Sequence, residues 1–229
     1  NAESRRFNLP ATEVDGDWLD AREALDGAPP PLRTTVTVEK PRTIISRNAS
    51  PDVPFDRSIN PYRGCEHGCI YCFARPTHAY LGLSPGLDFE TRILFKPEAA
   101  SLLLGELASP KYRCDVIAMG TNTDPYQPVE RELKITRQIL RVLSDFNNPL
   151  GIVTKNHMVT RDIDILADMA KRNLVEVFVS VTTLDKVLAR VMEPRASAPH
   201  RRLAAIRALA EAGVPVGVIT SPMIPGLND

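Results

Sequence analysis

Residues 60–76 read NPYRGCEHGCIYCFARP. Cys65, Cys69 and Cys72 fall in this stretch as C-x3-C-x2-C, three of the four cysteines in the chain. Three thiolates so close together can converge on one inorganic centre. Gly64 and Gly68 let the backbone bend tightly around it. Thiolates are soft ligands that select zinc, copper(I) or iron–sulfur clusters. The remaining cysteine, Cys114, opens an apolar run, DVIAMG, that reads as a buried strand, so the local ligand set stops at three. Iron–sulfur clusters and structural zinc usually take four protein ligands. A [4Fe–4S] cluster on three cysteines leaves one iron able to hold a chelating substrate. His67 lies inside the motif, so a Cys3His zinc site stays open as an alternative, as does an iron–sulfur electron-transfer module. A disulfide framework does not suit a chain of this size with so few cysteines.

Outward from this stretch the pattern is one of alternating elements. A weakly marked strand at 58–60 leads into the cysteine loop, and a short helix at 75–83 follows it. Residues 89–95 alternate as a strand, and 98–108 read as a helix. Apolar strands are expected at 115–121, 150–155, 175–181 and 214–219. The helices between them are expected at 129–144, 161–172 (capped by Thr160), 184–191 and 199–212. In the last of these, Leu203, Ile206 and Leu209 face inward. Strands alternating with helices imply βαβ units and a parallel sheet, and no G-x-G-x-x-G follows any strand. Before the loop, 34–38 reads as a short strand, while 39–58, with Arg42, Arg47 and Arg57, reads as solvated loop. Residues 1–33 are polar and proline-punctuated and read as an irregular lead-in, with Trp18 and Leu19 as candidate docking groups. The division is therefore an irregular extension at 1–50 and a core at 51–229.

The 229 residues suffice for a sizeable core, and 43% hydrophobic with 24% charged is an ordinary globular composition. Lysines plus arginines equal aspartates plus glutamates at 28 each, so net charge drives the chain toward neither nucleic acid nor membrane. No apolar run is long enough to span a bilayer. A start at Asn1 and a loop-like end, PGLND, suggest a segment of a longer protein.

The cysteine spacing, with Tyr71 just before the third cysteine, resembles the radical S-adenosylmethionine (radical SAM) superfamily. The resemblance implies an α/β fold, a partial (β/α)6 TIM-like barrel whose last part lies beyond Asp229. It implies a [4Fe–4S] cluster on Cys65, Cys69 and Cys72, with the amino and carboxylate groups of SAM on the open iron. It further implies reductive cleavage of SAM to a 5′-deoxyadenosyl radical that abstracts hydrogen from a substrate. The electron would come from a reductant such as a flavodoxin or ferredoxin. An oxygen-sensitive cluster and reduced thiols point to the cytoplasm.

Chemistry in such barrels sits at the carboxyl ends of the strands. Those ends carry Thr123-Asp124, Thr154-Lys155, Ser180 and Thr220-Ser221. The cysteine motif followed by TNTDPYQPVE, VTK, FVSV and Glu193-Pro194-Arg195 is similar to the spore photoproduct lyase-like branch, over roughly residues 57–225. That similarity implies that Thr123 (with Asp124 beside it), Lys155 and Ser180 contact SAM. It also implies that Tyr71 and Ile219 of a partial G-x-I-x-G pattern lie near the adenine, and that Arg195 reaches the SAM carboxylate. A nucleic-acid substrate, DNA or RNA, follows by analogy, with Arg195, His200, Arg201 and Arg202 as phosphate contacts. Two departures stand out. Thr121 occupies the position of the lyase's hydrogen-donor cysteine, and Phe73 that of a tyrosine after the third cluster cysteine. Neither donates a hydrogen atom easily, which argues against repair of the thymine photoproduct. The FARPTH segment at 73–78 resembles an uncharacterised bacterial group within the branch.

Overall fold

The computed structural model describes residues 33–229. Trp18, Leu19 and most of the expected N-terminal extension lie outside the described residues.

Four short strands lead up to and into the cysteine loop: β1 (Thr35–Val38), β2 (Ile45–Arg47), β3 (Arg57–Ile59) and β4 (Tyr62–Arg63). After the loop come a 3-10 helix at Arg75–Leu81, a single helical turn α1 (Asp88–Thr91), β5 (Arg92–Phe95) and α2 (Ala99–Leu107). Strands and helices then alternate: β6 (Ile117–Met119), α3 (Glu130–Leu133), α4 (Ile135–Asp145), β7 (Leu150–Thr154), α5 (Ile163–Lys171), β8 (Val175–Ser180), α6 (Lys186–Met192), α7 (Pro199–Glu211) and β9 (Val216–Ile219).

The main sheet has the order β2-β3-β6-β7-β8-β9. β2 and β3 are antiparallel and every other neighbouring pair is parallel, so five parallel strands are present, as the alternation predicts. The parallel register brings the carboxyl ends of β6, β7, β8 and β9 to one edge. A second sheet, β1-β5-β4, seats the amino-terminal side of the cysteine loop. No helix among the described residues is long and apolar enough to cross a membrane.

The core forms where the apolar faces meet. Ile117 and Met119 of β6, Leu150 and Ile152 of β7, and Val177 and Val179 of β8 are all buried. Ile139, Leu140 and Leu143 of α4 and Leu166 and Met169 of α5 join them in one cluster. Each such side chain contributes about 1.5–3 kcal/mol on leaving water.

Several expectations change. The strand expected at 34–38 is present as β1, paired in parallel with β5, and within the expected loop at 39–58 β2 pairs with β3 across the boundary drawn at 51. Arg57 is no solvated loop residue. It is buried in β3, where Nε and Nη2 bond Asp56 and Nη1 donates to the Arg113 carbonyl at 2.5 Å. The alternation at 89–95 is half helix. Residues 88–91 coil because the Phe89 carbonyl turns to accept from the Cys65 N–H at 2.9 Å, a long-range demand no local pattern carries. The helix expected at 129–144 breaks at Lys134, in the left-handed region at φ 52°. The helix expected at 161–172 begins as a 3-10 turn at His157–Asp162. Its cap is Asn156, whose side chain accepts from the Met158 N–H, rather than Thr160. In α7, Leu203 is exposed, and Ala205, Leu209 and Arg202 take the inward face. Cys114 is exposed just before β6.

Gly120 ends β6 at φ 89°, and a Cβ there would stand 2.0 Å from the Val153 carbonyl oxygen of the neighbouring strand. Gly120→Ala is therefore expected to cost about 3 kcal/mol or more in urea unfolding, because the clash is with backbone and cannot rotate away.

Candidate functional site

A cavity of about 500 Å³ opens at the carboxyl edge of the sheet. Cys65, Cys69, Cys72 and Tyr71 line one side, and Thr123, Asp124, Thr154 and Lys155 line the strand ends opposite. Phe73 and Thr121, the two positions that depart from the lyase pattern, are both on its wall.

The loop owes its path to Gly64 (φ 79°) and Gly68 (φ 66°). Side chains from later in the chain satisfy its backbone. Gln127 accepts from the Glu66 N–H at 3.0 Å and donates to the Gly64 carbonyl at 3.1 Å. The Ile70 N–H donates to the Met192 carbonyl at 3.0 Å. Burial pushes the Cys69 thiol up to about 12, with the nearby Glu193 carboxylate adding to the effect. Burial likewise raises the Cys65 thiol, with Asp124 adding. As metal ligands both must give up that proton, so loading the site releases protons.

His67 is buried, and both ring nitrogens are engaged. Nδ1 lies 3.4 Å from Asp124 Oδ2, and Nε2 lies 3.3 Å from the Asn156 amide nitrogen. Among the described residues no three His, Cys, Asp or Glu side chains converge as ligands of one metal ion. Both His67 nitrogens are thus already engaged by Asp124 and Asn156. The donor set fits an iron–sulfur cluster: three thiols on one cavity wall, Cys65 and Cys69 buried and Cys72 half-buried, on a loop bent at two glycines.

Asp124 is a structural knot. Its carboxylate accepts from Thr154 Oγ1 (2.7 Å), the Tyr126 N–H (2.8 Å) and the Lys155 N–H (2.7 Å), besides facing His67. Burial opposes its charge, but His67 and these donors outweigh it and hold the carboxyl below its usual range. Thr123 donates its hydroxyl to the Tyr62 carbonyl at 3.0 Å, which leaves its oxygen lone pairs toward the cavity it lines.

Lys155 Nζ donates to Ser180 Oγ at 2.6 Å and lies 3.6 Å from Glu193 Oε1 and 5.7 Å from the centre of the Tyr71 ring. Ser180 thus stands behind Lys155 rather than on the cavity wall. Glu193 is the hub of this side. It accepts from Tyr71 Oη and from Thr182 Oγ1 (2.6 Å), and its other oxygen is 2.5 Å from Arg202 Nη2. Burial works against the Glu193 charge, but Arg202 and Lys155 overcome it and hold the carboxyl at about 2. Burial, with Cys69 and Glu193 beside it, keeps the Tyr71 hydroxyl protonated far above its usual range. The sequence motif pointed to Glu193 only as a neighbour of Arg195.

Three residues expected at the site have their side chains or neighbours placed differently. Arg195 is turned away from Lys155 into the floor of the cysteine loop. Its Nη2 pairs with Glu90 and its Nε donates to the Glu66 carbonyl. Arg202, expected on a phosphate-facing run, is buried against Glu193. Ile219 ends β9, with its carbonyl accepting from the Val181 N–H at 2.8 Å, and Ser221 and Pro222 beyond it reach the cavity instead. Glu90 and Arg75 escaped sequence reading altogether. Asn156, directly after the lysine that ends β7, had a positional signal.

The chain is 41% identical over 177 residues to the uncharacterized protein Rv2578c of Mycobacterium tuberculosis, covering 77% of this chain and 52% of that one. It is 30% identical over 171 residues to the uncharacterized protein MJ0683 of Methanocaldococcus jannaschii, covering 75% and 61%. The chain thus spans about half the length of its mycobacterial relatives. Among solved structures, spore photoproduct lyase complexed with dinucleoside spore photoproduct superposes with a TM-score of 0.61 at 18% identity, covering 90% of this chain and 58% of that one. A substituted form of that lyase with bound AdoMet and the dinucleoside photoproduct gives 0.59 at 18% identity, covering 88% and 58%. These likenesses agree on the fold, a radical SAM partial barrel. The radical SAM superfamily model matches residues 59–229, from the last residue of β3 through β6, β7, β8 and β9. On that match the chain belongs to the radical SAM superfamily, whose members use a [4Fe–4S] cluster and SAM.

Proposed function

We propose that this chain carries the core of a radical SAM enzyme, with Cys65, Cys69 and Cys72 holding the [4Fe–4S] cluster and SAM lying between the cysteine loop and the ends of β6 and β7. Bound there, cluster and SAM together supply a 5′-deoxyadenosyl radical that takes a hydrogen atom from the substrate, once an external reductant such as a flavodoxin or ferredoxin has delivered an electron. The observation that carries the reading is the disposition of three thiols, two of them buried, and one lysine about a single cavity, with both His67 nitrogens engaged by Asp124 and Asn156.

The chain's own side chains have separable tasks. Lys155 offers a cation to the SAM carboxylate, positioned by Ser180 and Glu193. The Tyr71 ring, fixed through its hydroxyl by Glu193 and Thr182, presents a flat face for the adenine. Thr123 lends a hydroxyl oxygen, and Asp124 keeps the strand ends and His67 in register. Val53 and Phe55 add apolar surface to the cavity wall, and Phe73 lies at its exposed rim. Lys155→Met is expected to weaken SAM binding about tenfold to a hundredfold, the worth of one charge-assisted hydrogen bond, with little change in iron content. Equilibrium dialysis with SAM measures it, and unchanged affinity would remove Lys155 from the site.

For the substrate, the likeness to the lyase favours a nucleic acid. The basic run adds little to that, since Arg195 and Arg202 are internal ion pairs. Phe73 and Thr121 on the cavity wall favour a hydrogen abstraction other than repair of the thymine photoproduct. The test is anaerobic reconstitution of the full-length protein, reduction and assay of 5′-deoxyadenosine. A loaded cluster that leaves SAM intact would sink the enzyme reading. Absence of oligonucleotide binding at low salt would sink only the nucleic-acid version.

A further inference from the structure

Beneath the cysteine loop, Glu90 is fully buried between two guanidinium groups. Arg75 Nη2 reaches its Oε1 at 2.5 Å, and Arg195 Nη2 pairs with its Oε2. The same two arginines bind the loop's carbonyls. Arg75 donates to Cys69 (3.0 Å) and Gly68 (3.0 Å), and Arg195 donates to Glu66. Two cations on one anion leave a net positive charge in the floor of the loop. The Arg195 guanidinium packs so closely under Gly68 that a Cβ there would fall 2.2 Å from Nη2. Its remaining nitrogen, Nη1, is buried with no hydrogen-bond partner among the described residues. A guanidinium N–H left unpaired in a protein interior costs free energy unless an acceptor arrives.

We propose that Arg75, Glu90 and Arg195 form a charge clamp for the cluster. It holds the loop's carbonyls and sets the ease of reduction through its excess positive charge. In this arrangement Arg195 serves the cluster rather than SAM. The physical basis is general: net charge and hydrogen bonding around an iron–sulfur centre set its reduction potential. A cubane on three thiolates becomes more negative when it takes up an electron, so a fixed cation nearby favours the reduced form. The proposal rests on the three cysteines holding the cluster. Arg75 and Arg195 are positioning residues, since neither needs to touch substrate.

The two signs of charge give opposed expectations. Arg195→Gln removes a cation and is expected to lower the ratio of reduced to oxidised cluster at a fixed applied potential about tenfold. Glu90→Gln removes the anion and is expected to raise it by a similar factor. Arg195→Lys, keeping the charge without the fork, is expected to recover most of the ratio. The readout is anaerobic redox titration of the reconstituted full-length protein, followed by visible absorbance and electron paramagnetic resonance, with iron and sulfide measured on each variant. Opposite shifts at wild-type loading support the clamp. Shifts of the same sign, or none, overturn it. If Arg195→Gln does not fold, Glu90→Gln alone decides: a raised ratio supports the clamp, and an unchanged or lowered one overturns it. A wild-type chain that takes up zinc, or no iron and sulfide, overturns the cluster reading itself, an outcome told apart by the metal analysis.

Discussion

Alanine at Cys65, Cys69 or Cys72 is expected to reduce both iron–sulfide content and 5′-deoxyadenosine formation to background, while Cys114→Ala leaves both unchanged. The contrast follows from placement. The three loop cysteines share one cavity wall, whereas Cys114 is exposed ahead of β6 and lines no part of it. Removing one thiol leaves two ligands on a centre that already depends on fewer protein sulfurs than usual. No neighbour replaces the lost ligand, because His67 is tied through both nitrogens. Iron and acid-labile sulfide assays, with product analysis after anaerobic reduction, decide it. A Cys72→Ala protein with wild-type iron content would show that another residue completes the ligand set.

Arg202→Met is expected to lower stability at pH 7 by about 3–5 kcal/mol, because it leaves the buried Glu193 carboxylate without its principal counter-ion. For a domain of this size that corresponds to a drop in Tm of roughly 10 °C. The pH dependence identifies the cause. In the unfolded chain Glu193 titrates near 4.5, and in the fold near 2. A depressed carboxyl adds stability that is complete above about 4.5 and is lost as pH falls toward 2. Without Arg202, burial dominates and the folded carboxyl prefers its proton. The deficit of the variant relative to wild type should then narrow as pH drops below neutrality. Urea unfolding at pH 7 and pH 5 measures both quantities. A deficit independent of pH would assign the loss to packing of the arginine stem instead.

Four of the five parallel strands were legible because buried parallel strands are nearly continuous apolar runs, as in residues 150–154 and 175–179, whereas β3, Arg57-Ser58-Ile59, was only weakly marked. The three cysteines were legible because their spacing is local. What escaped depends on partners far apart in the chain. Nothing around Glu90 marks it as buried, since the arginine opposite lies 105 residues away. Arg202 sits in a run of basic residues that reads as phosphate-facing, and only the fold turns it toward Glu193. The strand at 45–47 has no alternation of its own and exists because β3 pairs with it. The same long reach separates Lys155, whose place at a strand end is readable, from Arg195, whose surroundings are not.

That reach bears on how the protein is made. The Tyr71 hydroxyl finds Glu193 122 residues downstream, and the Glu66 carbonyl finds Arg195 129 residues downstream. During synthesis the cysteine segment leaves the ribosome long before these anchors exist, and contacts of such separation close late. Until then the nascent thiols have neither their glycine-bent path nor their guanidinium floor. Iron delivery therefore belongs after translation has passed α7, on a chain that has already collapsed around its own loop.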